Sequence, residues 1–270
     1  MPHMNAEVQP MRICVTNDDG IDGSGIAIMA SRLVEVGHEV TIVCPDRDMS
    51  GVGTSTGGDL RSSGGVLVVE TAVNGVRAFA VDGPPSLCTL LALRGLIGDR
   101  PDFVVSGINA GPNLGVSTLH SGTVAAAITA TNFGVPSLAV SLVLGPGVRE
   151  GHFETAASVA CAVIDIARSR PDGIVRMANL NVPDVALNHL RGILATELDP
   201  SPGFRSRGIE SQEAGHAHRV KFLYEMLDHE PSVASDVGAV RAGYASLGWL
   251  RGVDNAPRPE WHDFIGDLLA

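Results

Sequence analysis

Apolar runs of strand length alternate with apolar-periodic runs of helix length from residue 11 to about residue 145, and this rhythm constrains the fold more than any other feature. "MRICVTN" reads as a strand, and "GSGIAIMASRLVEVG" has helical apolar spacing closing on Gly37. "HEVTIVCP" is a second strand; Pro84 and Pro85 introduce the helix "SLCTLLALRGLI". "DFVVSGIN", "GTVAAAITATNFG" and "PSLAVSLVL" continue as strand, helix, strand. Consecutive parallel strands need a crossover, which a helix supplies, and a parallel sheet is buried on both faces. The order therefore predicts an α/β fold with a mostly parallel sheet between two helical layers. One stretch breaks the rhythm. "GGVLVVETAVNGVRAFAVDG" reads as a β-hairpin turning at Asn74-Gly75.

The last third is less regular. "ETAASVACAVIDIARSR" predicts a helix and "VRMANLNVP" a strand, whereas residues 200 to 218 read as an exposed loop or excursion. Residues 1–10 are expected to be a disordered tail, and 11–270 one α/β domain with 200–250 as excursion and C-terminal arm. The chain's 270 residues suit one large α/β domain, and 44% hydrophobic against 18% charged residues supply a core and argue against disorder. A formal net charge of −11 disfavours duplex nucleic acid, whose phosphates call for clustered Lys and Arg, but leaves open a small phosphorylated ligand held through a metal. The four cysteines, Cys14, Cys44, Cys88 and Cys161, lie far apart with no CxxC pair, which predicts buried free thiols in a reducing compartment. With no signal-peptide pattern and no apolar run of membrane-spanning length, a cytoplasmic location is expected.

In open α/β sheets, ligands sit beyond the carboxyl ends of the strands. Three such ends are polar and glycine-rich here: "NDDG", "PDRDMSG" and "SGINAGPN". Adjacent carboxylates repel, and burying either is costly unless a positive partner is present. Asp18 and Asp19 offer hard oxygens, Ser50 a hydroxyl and Asn109 a carboxamide carbonyl. That ligand set suits Mg²⁺, Mn²⁺ or Ca²⁺ rather than zinc. The plain alternative is a solvated turn with a helix cap, for which Asp and Gly are common. In "LHSGTVAAAITA", Ser121, Gly122 and Thr123 stand where a helix begins, a natural seat for phosphate, although Ser121 could simply cap the helix. Asn113, just upstream, could place another donor beside the same anion.

"GIDGSG" is spaced GxxGxG rather than GxGxxG, so it argues only weakly for a dinucleotide. His120 alone among the nine histidines lies near the proposed site; a general acid and a surface histidine are both open readings.

"NDDGIDGSGI", "PDRDMSG", "SGINAGPNLG" and "SGTVAAA" resemble, in order and spacing, the motifs of the SurE (survival protein E) family over residues 11 to 145. The resemblance implies a Rossmann-like three-layer core, a C-terminal oligomerisation arm and a metal-dependent phosphatase acting on nucleoside 5′- and 3′-monophosphates. It implies one divalent cation (Mg²⁺ or Mn²⁺, with Ca²⁺ able to replace it in crystals) on Asp18, Asp19, Ser50 and Asn109. It further implies phosphate contacts from Asn113, Ser121, Gly122 and Thr123, and a catalytic role for Asp18 and Asp19. A water beside the pair and Asp18 itself are both open as nucleophile. Two segments depart from the family pattern. "DGPPSLCTL" carries Leu87 where the family has an aspartate, and "GYASLGWL" lacks the family's Thr-Pro pair. A non-catalytic nucleotide-binding module, a phosphatase for another phosphorylated small molecule and a nicotinamide oxidoreductase are the competing readings. The apolar "VRAGYASLGWLRGV" is expected to leave its own core and hold a homodimer or a tetramer near Tyr244 and Trp249.

Overall fold

A computed structural model describes residues 10–57, 64–145, 148, 150–169, 177–201, 204–214, 217–226 and 230–252. All but Pro10 of the expected tail lies outside the described residues. Strand β1 (Arg12–Thr16) pairs in parallel with β2 (Glu39–Pro45) on one side and β5 (Phe103–Ala110) on the other. Beyond β5 follow β6 (Ser137–Val143) and β7 (Met177–Pro183), both parallel. The crossovers run through α1 (Ser24–Glu35), α2 (Pro85–Leu93), α3 (Gly122–Asn132) and α4 (Phe153–Ser169). The predicted alternation is thus observed, as a mostly parallel sheet between helical layers.

Alternate residues of each strand feed opposite faces. Ile13 and Val15 of β1 join Ile26, Met29 and Leu33 of α1 and Ala156, Ala160 and Ile164 of α4 in one buried cluster. Cys14 faces the other way, with Val43, Phe79, Cys88 and Ala130. Helix α1 approaches β5 so closely that a Cβ on Gly25 would stand 1.9 Å from the Ile108 carbonyl oxygen. Only glycine fits there. All four cysteines are free and buried, as expected, and burial pushes the Cys14 thiol up to about 12.

The expected hairpin is β3 (Val68–Val73) antiparallel to β4 (Val76–Val81). Its turn residues Asn74 and Gly75 have φ of 50° and 80°, the left-handed pair that a two-residue hairpin turn demands. Strand β4 also pairs in parallel with β2, so the hairpin extends the main sheet.

The last third differs in two respects from the sequence reading. Residues 200–218 read as an exposed loop or excursion, and most of them build β9 (Phe204–Ala214), antiparallel to β10 (Ala217–Met226) in a ribbon separate from the main sheet, so this stretch is strand rather than loop. Ladder bonds join backbone groups, so a polar, glycine-containing stretch can pair without an apolar face to announce it. The apolar C-terminal segment does not leave its core. Strand β8 (Ile193–Ala195) precedes the ribbon, and β11 (Ala245–Trp249) lies between β8 and β7, antiparallel to β7. The outer edge of β7 needed a partner, and β11 supplies it, with Ala245 fully buried. The short helix α5 (Asp236–Arg241) leads into β11 and is capped by Ser235. Among the described residues the main sheet has nine strands, in the order β3-β4-β2-β1-β5-β6-β7-β11-β8.

Candidate metal and anion site

Strand β1 stops at Thr16 because the next residues close a turn. The Asn17 side chain donates to the Gly20 carbonyl at 2.9 Å, and the Ile21 N–H donates to Pro45 at the end of β2. Gly20 adopts φ of 88°, and a Cβ on it would meet the Arg47 backbone at 2.6 Å. The turn therefore throws two consecutive carboxylates off the sheet edge in different directions.

Asp18 turns inward, to the start of α3. Its Oδ1 accepts from Thr123 Oγ1 at 2.5 Å and its Oδ2 from the Thr123 backbone N–H at 3.1 Å. Gly122 permits this approach, since a Cβ there would lie 2.8 Å from the Asp18 Cβ and 3.2 Å from Pro85 of α2. The Asp18 carbonyl accepts from Met49 at 2.7 Å, which ties down the loop after β2. With 4% of its surface exposed, Asp18 has its carboxyl pushed up to about 6. Burial is the main cause, the Thr123 bond opposes it and the Asp19 charge adds to it. Both partners of Asp18 on α3 are neutral groups, so its charge is hydrogen-bonded but not neutralised.

Asp19 is half-buried and turns toward β5, where its Oδ2 accepts from the Ala110 N–H at 3.1 Å. Beside it, Asn109 donates one N–H through Nδ2 to the Gly111 carbonyl at 2.8 Å, which orients its amide. Ser50 is exposed, and both its N–H and hydroxyl donate to Asp48 Oδ1, at 2.8 and 2.6 Å. The Ser50 oxygen keeps its lone pairs, and each Asp18 oxygen keeps a second one. Asn17 adds a buried Oδ1 with no hydrogen-bond partner among the described residues. Among the described residues no group of three or more His, Cys, Asp or Glu gathers. A cation here would rest on two carboxylates and neutral oxygens. That hard-oxygen set, around a buried carboxylate lacking a positive partner, fits Mg²⁺ or Mn²⁺.

The expected anion donors are more committed than the sequence suggests. Both donors of Thr123 serve Asp18, so the protein's own carboxylate takes one of the free N–H groups at the start of α3. Ser121 caps the helix, its Oγ accepting from Val124 at 3.1 Å. The Ser121 hydroxyl proton and the Gly122 N–H have no acceptor among the described residues. Asn113 is buried, with one amide N–H given to Ser141 Oγ at 2.8 Å and a second N–H uncommitted. His120 is exposed, and its carbonyl accepts from Gly53, joining the two loops.

Several supporting residues escaped the sequence reading. Asn179 and Asn181 of β7 both donate to the Asn113 carbonyl, at 2.9 and 3.0 Å, and Asn181 Oδ1 accepts from the Asn113 N–H. The signal was there in "NLNVP". Two asparagines two apart on a buried strand share a face, and buried amides need partners. Leu87, at the family's aspartate position, is buried, and a Cβ on Gly83 would lie 2.7 Å from its side chain. The substitution fills space and leaves no unpaired charge.

Residues 13–201 match the family model described as Survival protein SurE. The chain is similar to a protein of Stenotrophomonas maltophilia named 5'-nucleotidase SurE, 38% identical over 242 residues and 88% of each chain. It is also similar to one of the same name from Xylella fastidiosa, 36% identical over 244 residues and 88% of each chain. Among solved structures it resembles the SurE protein of Aquifex aeolicus, with TM-score 0.76 and 26% identity over 96% of this chain and 100% of that one.

Proposed function

The chain belongs to the survival protein SurE family, and from that premise we propose that it is a metal-dependent phosphomonoester hydrolase. Its substrate in this reading is a nucleoside 5′-monophosphate, with the 3′ isomers as secondary substrates, and its products are nucleoside and phosphate. One observation carries the proposal. Strand β1 delivers two adjacent carboxylates, one fastened to the start of α3 and the other to the end of β5.

Asp18, Asp19, Ser50 and Asn109 would hold one divalent cation, Mg²⁺ or Mn²⁺. Such an ion supplies Lewis acidity and offsets charge that develops on a phosphoryl group. The Ser121 hydroxyl, the Gly122 N–H and the second amide N–H of Asn113 would bind phosphate oxygens. Thr123, assigned by family resemblance to phosphate, instead orients Asp18 in this reading. Asp18 is thereby fixed as a ligand, and the half-buried Asp19 is the better placed to orient a water and take its proton. The water oxygen then bonds to phosphorus as the ester P–O bond breaks, and the leaving alkoxide takes up the proton that Asp19 drew from the water.

A homodimer or tetramer belongs to the same proposal, supported by the β9–β10 ribbon, which pairs with no strand of the main sheet and exposes Ile209 and Val220. Four buried free thiols support a cytoplasmic location, and no helix among the described residues is long and apolar enough to cross a membrane. The test is phosphate release from several nucleoside monophosphates with Mn²⁺ or Mg²⁺, with and without excess EDTA. We expect release that EDTA abolishes and the cation restores. No release with any cation, or full release in EDTA, overturns the proposal.

A further inference from the structure

Asp236, on α5, is 2% exposed and accepts three backbone N–H bonds. Its Oδ2 takes Gly115 at 2.7 Å, and its Oδ1 takes Asp199 at 2.9 Å and Val237 at 2.8 Å. Only the last is local. The first spans 121 positions and reaches the loop between β5 and α3. Asp199 in turn accepts from Ser201 at 2.9 Å and from the Ser235 hydroxyl at 2.7 Å, so the 199–201 segment and the start of α5 form one unit. Gly115 sits flush on that unit. It has φ of 55°, and a Cβ on it would stand 2.6 Å from the Ser201 carbonyl oxygen.

From Gly115 the connection runs on in short steps. The Gly115 carbonyl accepts from Thr118 Oγ1 at 2.9 Å, the Thr118 carbonyl from the Ser121 N–H at 3.1 Å, and Ser121 Oγ caps α3. Two residues before Gly115 stands Asn113, held from β7. The loop carrying Asn113 and Ser121 is thus pinned at its middle by a carboxylate from the C-terminal unit.

We infer that Asp236 is a positioning residue for phosphate binding, setting the Asn113–Ser121 loop through the Gly115 N–H. This rests on the phosphomonoesterase reading, in which that loop binds the phosphate. A purely structural role is the alternative, because an acidic residue in the first turn of α5 stabilises that helix anyway. The two roles differ in what a substitution does to ligand binding per folded molecule.

The test uses the full-length protein with saturating Mn²⁺. In Asp236→Asn an amide NH₂ must face at least one of the three backbone donors, which releases or repels it. We expect the inhibition constant for inorganic phosphate and the KM for a nucleoside 5′-monophosphate to rise about tenfold, the scale of one lost charge-assisted hydrogen bond. Mn²⁺ affinity should stay within about twofold, because none of the four proposed ligands bonds to the loop's Gly115 anchor. Ser235→Ala is the control: it weakens the α5 cap and removes the Ser235 bond to Asp199 without touching the Gly115 bond to Asp236, so phosphate inhibition should not change. Gly115→Ala presses on the same junction from the other side and should reproduce the Asp236→Asn effect.

An unchanged phosphate constant in Asp236→Asn, or an equal rise in Ser235→Ala, overturns the inference. Should the variants not fold, hydrogen exchange on the wild type decides, since coupling is reciprocal. Inorganic phosphate should slow exchange at Gly115 and also at Asp199 and Val237, and no slowing at the latter two overturns the inference. A wild type that neither hydrolyses esters nor binds phosphate overturns the functional reading, and this inference with it. An active wild type with indifferent variants overturns the inference alone.

Discussion

Thr123 gives both of its donors to Asp18, the hydroxyl at 2.5 Å to one carboxylate oxygen and the backbone N–H at 3.1 Å to the other. A buried carboxylate at a helix N-terminus is favoured by the dipole yet still resists ionisation, because burial outweighs the bonds that favour its charge. The pair is therefore a balanced element, and small changes to it should be measurable.

Thr123→Val keeps the side-chain shape and removes the hydroxyl. One lost bond to a buried charged group costs about 1–3 kcal/mol, so Mn²⁺ affinity and kcat/KM should each fall by roughly 10-fold or more. Calorimetric titration and phosphate release read the two effects. Unchanged values in both would reduce the contact to an ordinary helix-end bond.

Gly122→Ala should destabilise the protein, against the usual trend. Alanine normally favours a helix over glycine by up to about 1 kcal/mol. Here the added methyl would lie 2.8 Å from the Asp18 Cβ, an atom that cannot swing aside without moving β1's end. A lower Tm together with lost activity is expected. A raised Tm with full activity would show that Asp18 does not pack as described.

Asp19→Asn should leave the fold intact, since Asp19 is half-buried and an amide oxygen can still accept from Ala110. Cation affinity should fall at least about tenfold with the loss of one ligand charge. Far-UV circular dichroism checks the fold and Mn²⁺ titration the affinity; tight binding by the variant would remove Asp19 from the ligand set.

The pH dependence of the chelated protein follows from Asp18. Its carboxyl, at about 6 in the folded state, lies above its unfolded value near 4, so the unfolded chain releases this proton at lower pH. Its contribution to stability is then fully present below about pH 4 and lost as pH rises through about 6. In EDTA, the Tm difference between wild type and Asp18→Asn should shift against the wild type as pH rises from about 4 to above about 6. Saturating Mn²⁺ should reverse the shift by supplying the missing positive charge. A difference that does not vary with pH in EDTA would contradict the burial of the Asp18 charge.

Replacing 204–226 by a short glycine-serine linker should leave β11 in place and yield a smaller species by light scattering than the proposed oligomer of the full chain. Among the described residues the ribbon makes its ladder with itself alone, whereas β11 pairs with β7 and β8. An oligomer unaffected by the deletion would move the interface elsewhere on the molecule.

Local chemistry written within a few residues was legible before any coordinates. The period of the apolar residues specified strand or helix, Asn74-Gly75 announced its turn, and Asp18 and Asp19 stood at a strand end where a ligand site belongs. The identities of hydrogen-bond partners were not legible, because they depend on how distant elements pack. Thr123 and Asp18 are 105 positions apart and Gly115 and Asp236 are 121 apart. Read alone, "SGTV" offered a free helix end; only the seating of α3 on the end of β1 gave the Thr123 N–H to the chain's own carboxylate. The C-terminal segments show the same division. The apolar "GYASLGWL" called for a packing partner, which another subunit or its own sheet could supply; pairing at home buries Ala245 and Ser246 and leaves Trp249 exposed. The open edge of β7, which no local pattern records, decided for home. Composition tells a segment what it must avoid, and the tertiary structure alone supplies the surface on which it avoids it.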